Sequence, residues 1–468
     1  MRPKLRNLEP RWVLAGGERR LWLRDPLALS NAVVLVPAAL VPLLASLDGT
    51  RDLRAVAFRY ELQTGFALPL GAVERIVREL DLALALEGPR LQWALRHATA
   101  AYRRLPFRPP ALAGQSYPAD PEALDALFAG WVEAAAAAPE VPPLAALAPA
   151  GAAAGVLSPH IDYARGGPVY AATWRAAIPA AATAEVVVVF GTDHCGSAGR
   201  LTATEQRYAT PWGVLPTDVA GVRRLAAAAG EVHVFGEELH HRGEHSIELA
   251  AVWLHWALRR AGRAAAPPAI IPVLCGSFYR YVQGGLPGEA PAVDWPGRPA
   301  PRTGGGAAAP RPLGPVAGPG TPAAAGAAGG AAEAPEAEPA LAAAAAALAG
   351  ALAGRRALVV AAADLAHVGP AFGDAAPLAD AEKAALAHAD AALLAAAAAG
   401  DAGGILEQLR GEQDRRRVCG LPPTFWALRL LERLNGRPVR GRLAGYAQCP
   451  ADDTAGSVVT IAGMLWEP

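Results

Sequence analysis

Short, strongly apolar segments at residues 153–157, 186–190, 270–274, 357–363 and 457–462 alternate with helical stretches that include 247–260 and 379–399. No other feature constrains the fold as much. Strands that are apolar along their whole length must be covered on both faces, and strands that alternate with helices build layered domains. The pattern predicts an α/β fold: a layered domain with a central, largely buried β-sheet flanked by helices.

Three of these segments lead into a histidine: Ser158-Pro159-His160-Ile161-Asp162-Tyr163, Gly191-Thr192-Asp193-His194 and Asp364-Leu365-Ala366-His367. Open α/β sheets bind ligands where strands give way to loops, so these imidazoles are candidates for one shared site. Glu244-His245-Ser246-Ile247-Glu248 and Val418-Cys419-Gly420 add carboxylate and thiolate. Such groups bind transition metals and move protons, which points to an open, mixed N/S/O metal centre. The chain has no Walker loop, Rossmann fingerprint, His-Glu-x-x-His pair or Cys-x-x-Cys, so nucleotide hydrolysis, simple dinucleotide binding and the common zinc signatures fall away.

Each residue also has a plainer reading. His160 fits a buried histidine bonded to a loop carbonyl. Cys419 follows Arg415, Arg416 and Arg417, a basic setting that favours the thiolate for metal binding or nucleophilic chemistry; it also fits an inert, half-buried thiol. Asp364 lies three residues before His367, where it can raise the basicity of the imidazole for acid–base catalysis or simply cap a helix. His245 and Glu248 share one face at a helix start, where the helix dipole favours the glutamate. His240 and His241 point apart as neighbours and at least one is expected at the surface, so both stay outside the site.

With 468 residues the chain exceeds the usual single-domain size. Residues 1–105 hold an apolar run at 32–47, a turn at Asp48-Gly49-Thr50 and helix-like periods at 51–60 and 72–86, and read as a small, mostly helical domain. A proline-rich break at 106–110 follows, and the α/β domain spans 111–468, its first helix running to about residue 138. Residues 284–340 collapse to Pro, Gly and Ala and read as a disordered insertion, before an alanine-rich helix at 341–352.

Lys+Arg and Asp+Glu both number 43, which leaves no overall electrostatic footprint for nucleic acid or an anionic membrane. The four scattered cysteines make no disulfide framework, and no apolar stretch follows the first residues. The most apolar span, 32–47, carries Pro37 and Pro42 and falls short of the roughly 20 apolar residues a membrane helix needs. A cytoplasmic protein is expected.

Taken in order, Gly114-Gln115-Ser116-Tyr117-Pro118-Ala119-Asp120, Pro159-His160-Ile161-Asp162-Tyr163, Gly191-Thr192-Asp193-His194, Thr210-Pro211-Trp212-Gly213, Glu244-His245-Ser246-Ile247-Glu248, Ile271-Pro272-Val273-Leu274, Asp364-Leu365-Ala366-His367 and Val418-Cys419-Gly420 resemble the Memo family. In bacteria this is the AmmeMemoRadiSam system protein B group. The resemblance covers about residues 111–468 outside the insertion. It implies a fold like that of class III extradiol dioxygenases, with His160, His194 and Cys419 as metal ligands and His245, Asp364 and His367 lining the same pocket. In that arrangement His367 with Asp364 acts as acid–base and His245 orients substrate or O₂. A thiolate in place of the dioxygenases' carboxylate softens the site, so non-haem iron or copper is implied, with zinc as a further option. Dioxygenase activity does not follow from the fold alone.

The family's naming implies association with a radical SAM enzyme and an AMMECR1-like partner. The segment from Leu47 to Leu53, two helices and a strand-like 86–91 resemble PqqD-like winged-helix modules that hold peptides or partners. The chain departs from the family's animal members in Asp162, Arg165 and Cys195, in the extra N-terminal domain and in the insertion. The first functional expectation is a metal-dependent, dioxygenase-like oxidoreductase acting on an unidentified small molecule or peptide. The alternative is a catalytically silent metal- or peptide-binding adaptor working with a radical SAM partner. A third, metal-free hydrolase would use Cys419 as nucleophile with His245 or His367 as base.

Overall fold

The computed structural model describes residues 1–136, 142–147, 151–284 and 334–468. The chain divides after Arg104 into two compact units.

The first unit opens with strands β1 (Glu9–Ala15), β2 (Glu18–Arg24) and β3 (Val34–Pro37), antiparallel in that order. β1 turns into β2 through Gly16 and Gly17, at φ 63° and 78°, the left-handed backbone that two-residue hairpin turns need. Helices α1 (Val41–Leu44), α2 (Leu53–Thr64), α3 (Leu70–Leu82) and α4 (Pro89–Arg103) follow. Leu21, Leu43, Val56 and Val73 are fully buried at their centre. A mostly helical reading therefore missed a sheet, whose hairpin the Gly-Gly pair between alternating segments signals. The strand expected at 86–91 is absent: Leu86 makes one isolated bridge with Leu5, and Pro89 opens α4, where a missing N–H costs nothing.

The second unit holds helices α5 (Pro121–Ala136), α6 (Tyr163–Thr183), α7 (Val219–Ala229), α8 (Glu231–Phe235), α9 (Ser246–Arg260), α10 (Pro339–Leu352), α11 (Asp380–Ala398), α12 (Ala402–Gly411) and α13 (Leu421–Asn435). Its strands are β4 (Ala153–Ser158), β5 (Val186–Thr192), β6 (Leu201–Ala203), β7 (Tyr208–Thr210), β8 (Gly213–Leu215), β9 (Ala269–Cys275), β10 (Ala357–Ala362), β11 (His367–Val368), β12 (Arg440–Pro450) and β13 (Val458–Glu467). β7 and β8 form a separate hairpin, and the other eight strands form one mixed sheet. At its centre β4, β10, β5 and β9 run parallel; β13 and β6 close it antiparallel on either side, and β11 and β12 pair with β13. All five apolar segments picked out in the sequence are strands of this sheet.

Period-two alternation buries both faces. Val186, Val188 and Phe190 of β5 pack with α7, α10, α12 and α13, while Val187 and Val189 pack with α5, α6 and α9. Each such side chain contributes about 1.5–3 kcal/mol. Beyond β5 the chain moves toward β9 and β6, and beyond β10 toward β11–β13, so the order switches at the C-terminal ends of β4, β10 and β5. Ligands bind at such crevices. Ser158, Ala362 and Gly191 are neighbours in register, so three of the candidate loops leave one edge of the sheet.

The Pro/Gly/Ala-rich insertion lies, over 285–333, outside the described residues. Its expected end is structured: Pro335–Ala337 form a 3-10 turn, and Glu338 pairs with Arg280. No helix among the described residues is long and apolar enough to cross a membrane.

The segment before α5 is pinned to α9 by a fully buried ion pair between Arg108 and Glu248. Arg108 also donates to the carbonyls of His241 and Glu244. Glu248 accepts from the amides of Ala111 and Leu112 and from the Tyr117 hydroxyl at 2.5 Å. Glu248 does lie in the first turn of α9, but its carboxylate holds a distant segment. Glu248→Ala withdraws the counter-charge from a buried guanidinium and is expected to cost about 3–5 kcal/mol in urea denaturation, the range for breaking a buried pair. A loss below about 1 kcal/mol would show that water reaches the pair.

Candidate metal centre

β4 ends at Ser158, and Pro159 delivers a buried His160. The His160 amide donates to Asp364 Oδ1 at 2.8 Å, and Nδ1 lies 2.9 Å from the Ala362 carbonyl. A carbonyl only accepts, so Nδ1 carries a proton and Nε2 is the atom turned inward, 3.3 Å from Cys419 Sγ. His194, after β5, is held the same way by a carboxylate. Glu244 lies 3.0 and 3.1 Å from its Nδ1 and accepts from its amide at 3.1 Å. Glu244 also accepts from the amides of His245 and Ser246 and sits 3.0 Å from His245 Nδ1. One buried carboxylate thus orients two imidazoles, whose rings stack at 4.7 Å while His160 stands across both at 5.2 and 5.5 Å.

Cys419 is sewn to the strand ends by its neighbours. The Gly420 amide donates to the Asp364 carbonyl at 3.0 Å, and the Thr192 hydroxyl donates to the Cys419 carbonyl at 3.0 Å. A Cβ on Gly420 would come within 2.2 Å of the Asp364 carbonyl oxygen, so this approach needs glycine. The preceding loop carries Gln413, Asp414 and Arg417 at φ 55°, 49° and 53°. Arg416 anchors it by a buried pair with Asp390 at 2.5 Å, and Arg417 pairs with Asp374 at 2.6 Å. The second Asp390 oxygen accepts from the Tyr446 hydroxyl at 3.0 Å.

Charge and burial compete throughout. Burial opposes the thiolate of Cys419, yet the charges of His160 and His367 and hydrogen bonds from His160 and His194 hold its pKa well below the usual thiol value. Burial equally opposes the imidazolium of His160, but Asp364 and Cys419 raise it to about 9. Glu244 is driven up by burial and brought well below the usual carboxylate range by His194 and His245.

Of the residues singled out in the sequence, His160, His194 and Cys419 place their donor atoms within 4.8 Å of one another. His245 joins them through Glu244 and the ring stack. His367 Nδ1 lies 3.2 and 3.1 Å from the carbonyls of Leu365 and Arg417, and the charge of this imidazole bears on Cys419. Asp364 does not bond His367; its Oδ1 takes the amides of His160 and Ile161, and its Oδ2 lies 3.7 Å from His160 Nε2. Neither His240 nor His241 is at the surface. His241 is fully buried between the Tyr208 hydroxyl and the Thr202 carbonyl, and His240 Nδ1 lies 2.9 Å from Asp193.

Asp193, Glu237 and His240 also converge within 4.8 Å. Glu237 is already taken by Ser197 and Arg200, so the two carboxylates are matched by two bases and the group closes as an ion-pair network. Glu244 is the functional residue that the sequence reading left without a role. It adjoins His245, but nothing local announces that it faces His194, fifty residues earlier.

A doubly covered mixed sheet with two imidazoles and a thiolate at its switch point defines an α/β protein with a site that could hold a metal ion. The particular family follows from comparison: the family model described as "Memo-like protein" matches residues 108–278 and 335–465, and the chain belongs to that family. A "MEMO1 family protein" of Aquifex aeolicus is 25% identical over 258 residues, 55% of this chain and 63% of the relative. One of Methanopyrus kandleri is 34% identical over 151 residues, 32% of this chain and 51% of the relative. One of Methanosarcina barkeri is 30% identical over 170 residues, 36% of this chain and 55% of the relative. The chain thus spans between about half and two thirds of the length of the curated relatives it matches.

The depressed thiol gives a direct measurement. In metal-stripped protein, iodoacetamide labelling of Cys419 followed by peptide mass mapping is expected to stay fast as pH falls from about 9 to about 7, where a free thiol near 8.5 slows more than tenfold. Cys449, whose buried thiol is pushed up to about 11, is the slow internal reference. A tenfold slowing at Cys419 would show that the imidazoles do not stabilise the thiolate.

Proposed function

We propose that the protein is a metal-dependent, dioxygenase-like oxidoreductase whose ion is held by Nε2 of His160, Nε2 of His194 and Sγ of Cys419. The observation that carries the reading is the convergence of those three donor atoms within 4.8 Å, on loops from three different strands and helices. The spacing suits an ion. Metal–nitrogen bonds near 2.0–2.1 Å and metal–sulfur bonds near 2.3 Å put N and S about 3.5 Å apart in a tetrahedral site, and Sγ lies 3.3 Å from His160 Nε2. The two Nδ1 partners, a carbonyl and a carboxylate, are the outer contacts that ligating histidines use. Two imidazoles and one thiolate suit non-haem iron or copper, with zinc as the further option.

Such an ion supplies Lewis acidity and redox capacity at an open position. The chain's own residues do the rest. Glu244 fixes the orientation of His194 and His245, and Asp364 fixes the His160 loop. His245 and His367 are each held at Nδ1, with Nε2 able to exchange a proton with a small-molecule or peptide substrate. A radical SAM enzyme and an AMMECR1-like protein as partners, a cytoplasmic location and the absence of a nucleic-acid partner belong to the same proposal, which draws on the family.

A catalytically silent metal- or peptide-binding adaptor is the second reading. It is favoured by the first unit, which carries eight of the eleven exposed large apolar side chains among the described residues.

Metal analysis by mass spectrometry tests the ligand set. His160→Ala and Cys419→Ala are expected to lose most of the metal that wild type retains. His245→Ala and His367→Ala are expected to keep the metal and lose turnover. Wild-type metal content in both ligand variants rejects the assignment, and full metal with no turnover on any candidate substrate favours the adaptor.

A further inference from the structure

The first unit has a face that the metal centre does not use. On α2, Phe58 and Leu62 are 62% and 70% exposed, and Phe66, just past the Gly65 cap, is 73% exposed. A spacing of four residues puts Phe58 and Leu62 on one stripe of the helix, and Phe66 follows just beyond the helix end. The opposite side of the helix, Val56 and Tyr60, is buried in the unit's own core. Contiguous exposed apolar surface of this kind marks interaction sites.

Charge says what kind of partner fits. Arg54 lies one turn before Phe58 and Arg59 one turn before Leu62; both are exposed, and neither has an acidic partner among the described residues. Residues 1–104 contain sixteen Arg and Lys against ten Asp and Glu, an excess of six positive charges in a chain whose total is zero. Apolar stripes take the apolar face of an amphipathic helix, and flanking charges select a partner of opposite sign. Exposed Glu61, seven residues after Arg54 and on the same flank of the helix, interrupts the positive charge and works against a continuous phosphate surface such as a membrane or a nucleic-acid strand.

We propose that α2 is a docking surface for an acidic amphipathic helix of another protein, with Phe58 and Leu62 covered by its apolar side chains and Arg54 and Arg59 paired with its carboxylates. The surface is independent of the metal reading and stands whether or not the second unit holds an ion.

The test uses the full chain and a fluorescent synthetic helix with leucine on one face and glutamate elsewhere, against a control with lysine for glutamate. Anisotropy is expected to show saturable binding of the acidic peptide alone, weakening as salt rises. Phe58→Asp with Leu62→Asp, and Arg54→Glu with Arg59→Glu, are each expected to weaken it at least tenfold. The substituted side chains are exposed, and an unchanged circular dichroism spectrum verifies that the variants fold. Four results overturn the proposal: no binding of the acidic peptide, equal binding of both peptides, binding insensitive to these substitutions, or stripe-dependent binding instead to phosphatidylserine vesicles or to a second copy of the chain in sedimentation.

Discussion

The parallel register of β4, β10 and β5 is the constraint on which the site depends. Because Ser158, Ala362 and Gly191 lie side by side, the residues two positions further, His160, Asp364 and Asp193, leave the sheet together, and His194 follows next. A slip of one residue would move a strand by about 3.3 Å and turn its side chains to the wrong face. Two apolar cores prevent it, since every residue of β5 and β10 is buried. The site is thus held by packing that lies outside it. The Asp364 carboxylate then converts register into geometry, bonding the His160 and Ile161 amides across the gap between β10 and β4.

Sulfur reaches the site from another direction and at a cost. Three residues of the Cys419 loop sit in the left-handed region, where non-glycine residues store about 1–3 kcal/mol each. Several contacts offset that strain. Arg416 is buried against Asp390, the Asp414 carboxylate accepts from the Val418 amide at 2.8 Å, and the Arg416 carbonyl accepts from the His367 amide at 2.7 Å. Asp390 also touches β12 through Tyr446. The thiolate and the His367 imidazole therefore share one mounting, and two arginines of the run, Arg416 and Arg417, become paired, directional anchors.

The layered domain was legible because burial on both faces writes itself as unbroken apolar runs, and the strand-exit histidines because a parallel sheet gives its C-terminal ends to ligands. What failed were arguments from spacing in the absence of regular structure. Asp364 and His367 are three apart, but Leu365 and Ala366 pair with Thr460 and carry His367 onto β11, away from the carboxylate. Adjacent His240 and His241 do point apart, yet the turn holding them is buried, so both find polar partners. Glu244 takes its meaning from a contact across fifty residues. In the first unit, a hairpin rich in arginine and glutamate hid behind its polarity, although Gly16-Gly17 marks the turn.

Net charge misled in a comparable way. A total of zero reads as an absence of electrostatic preference, but it is the sum of a cationic first unit and an anionic remainder. The two parts also respond to salt differently. Exposed arginines such as Arg54 and Arg59 act through water and are screened over about 8–10 Å at physiological ionic strength, whereas the carboxylates that set the imidazoles, Glu244 and Asp364, are buried and barely screened. Ionic strength therefore separates recognition by the small unit from the electrostatics of the candidate centre. A chain built this way can vary its partner affinity with its surroundings while the charges around Cys419 stay as the fold sets them.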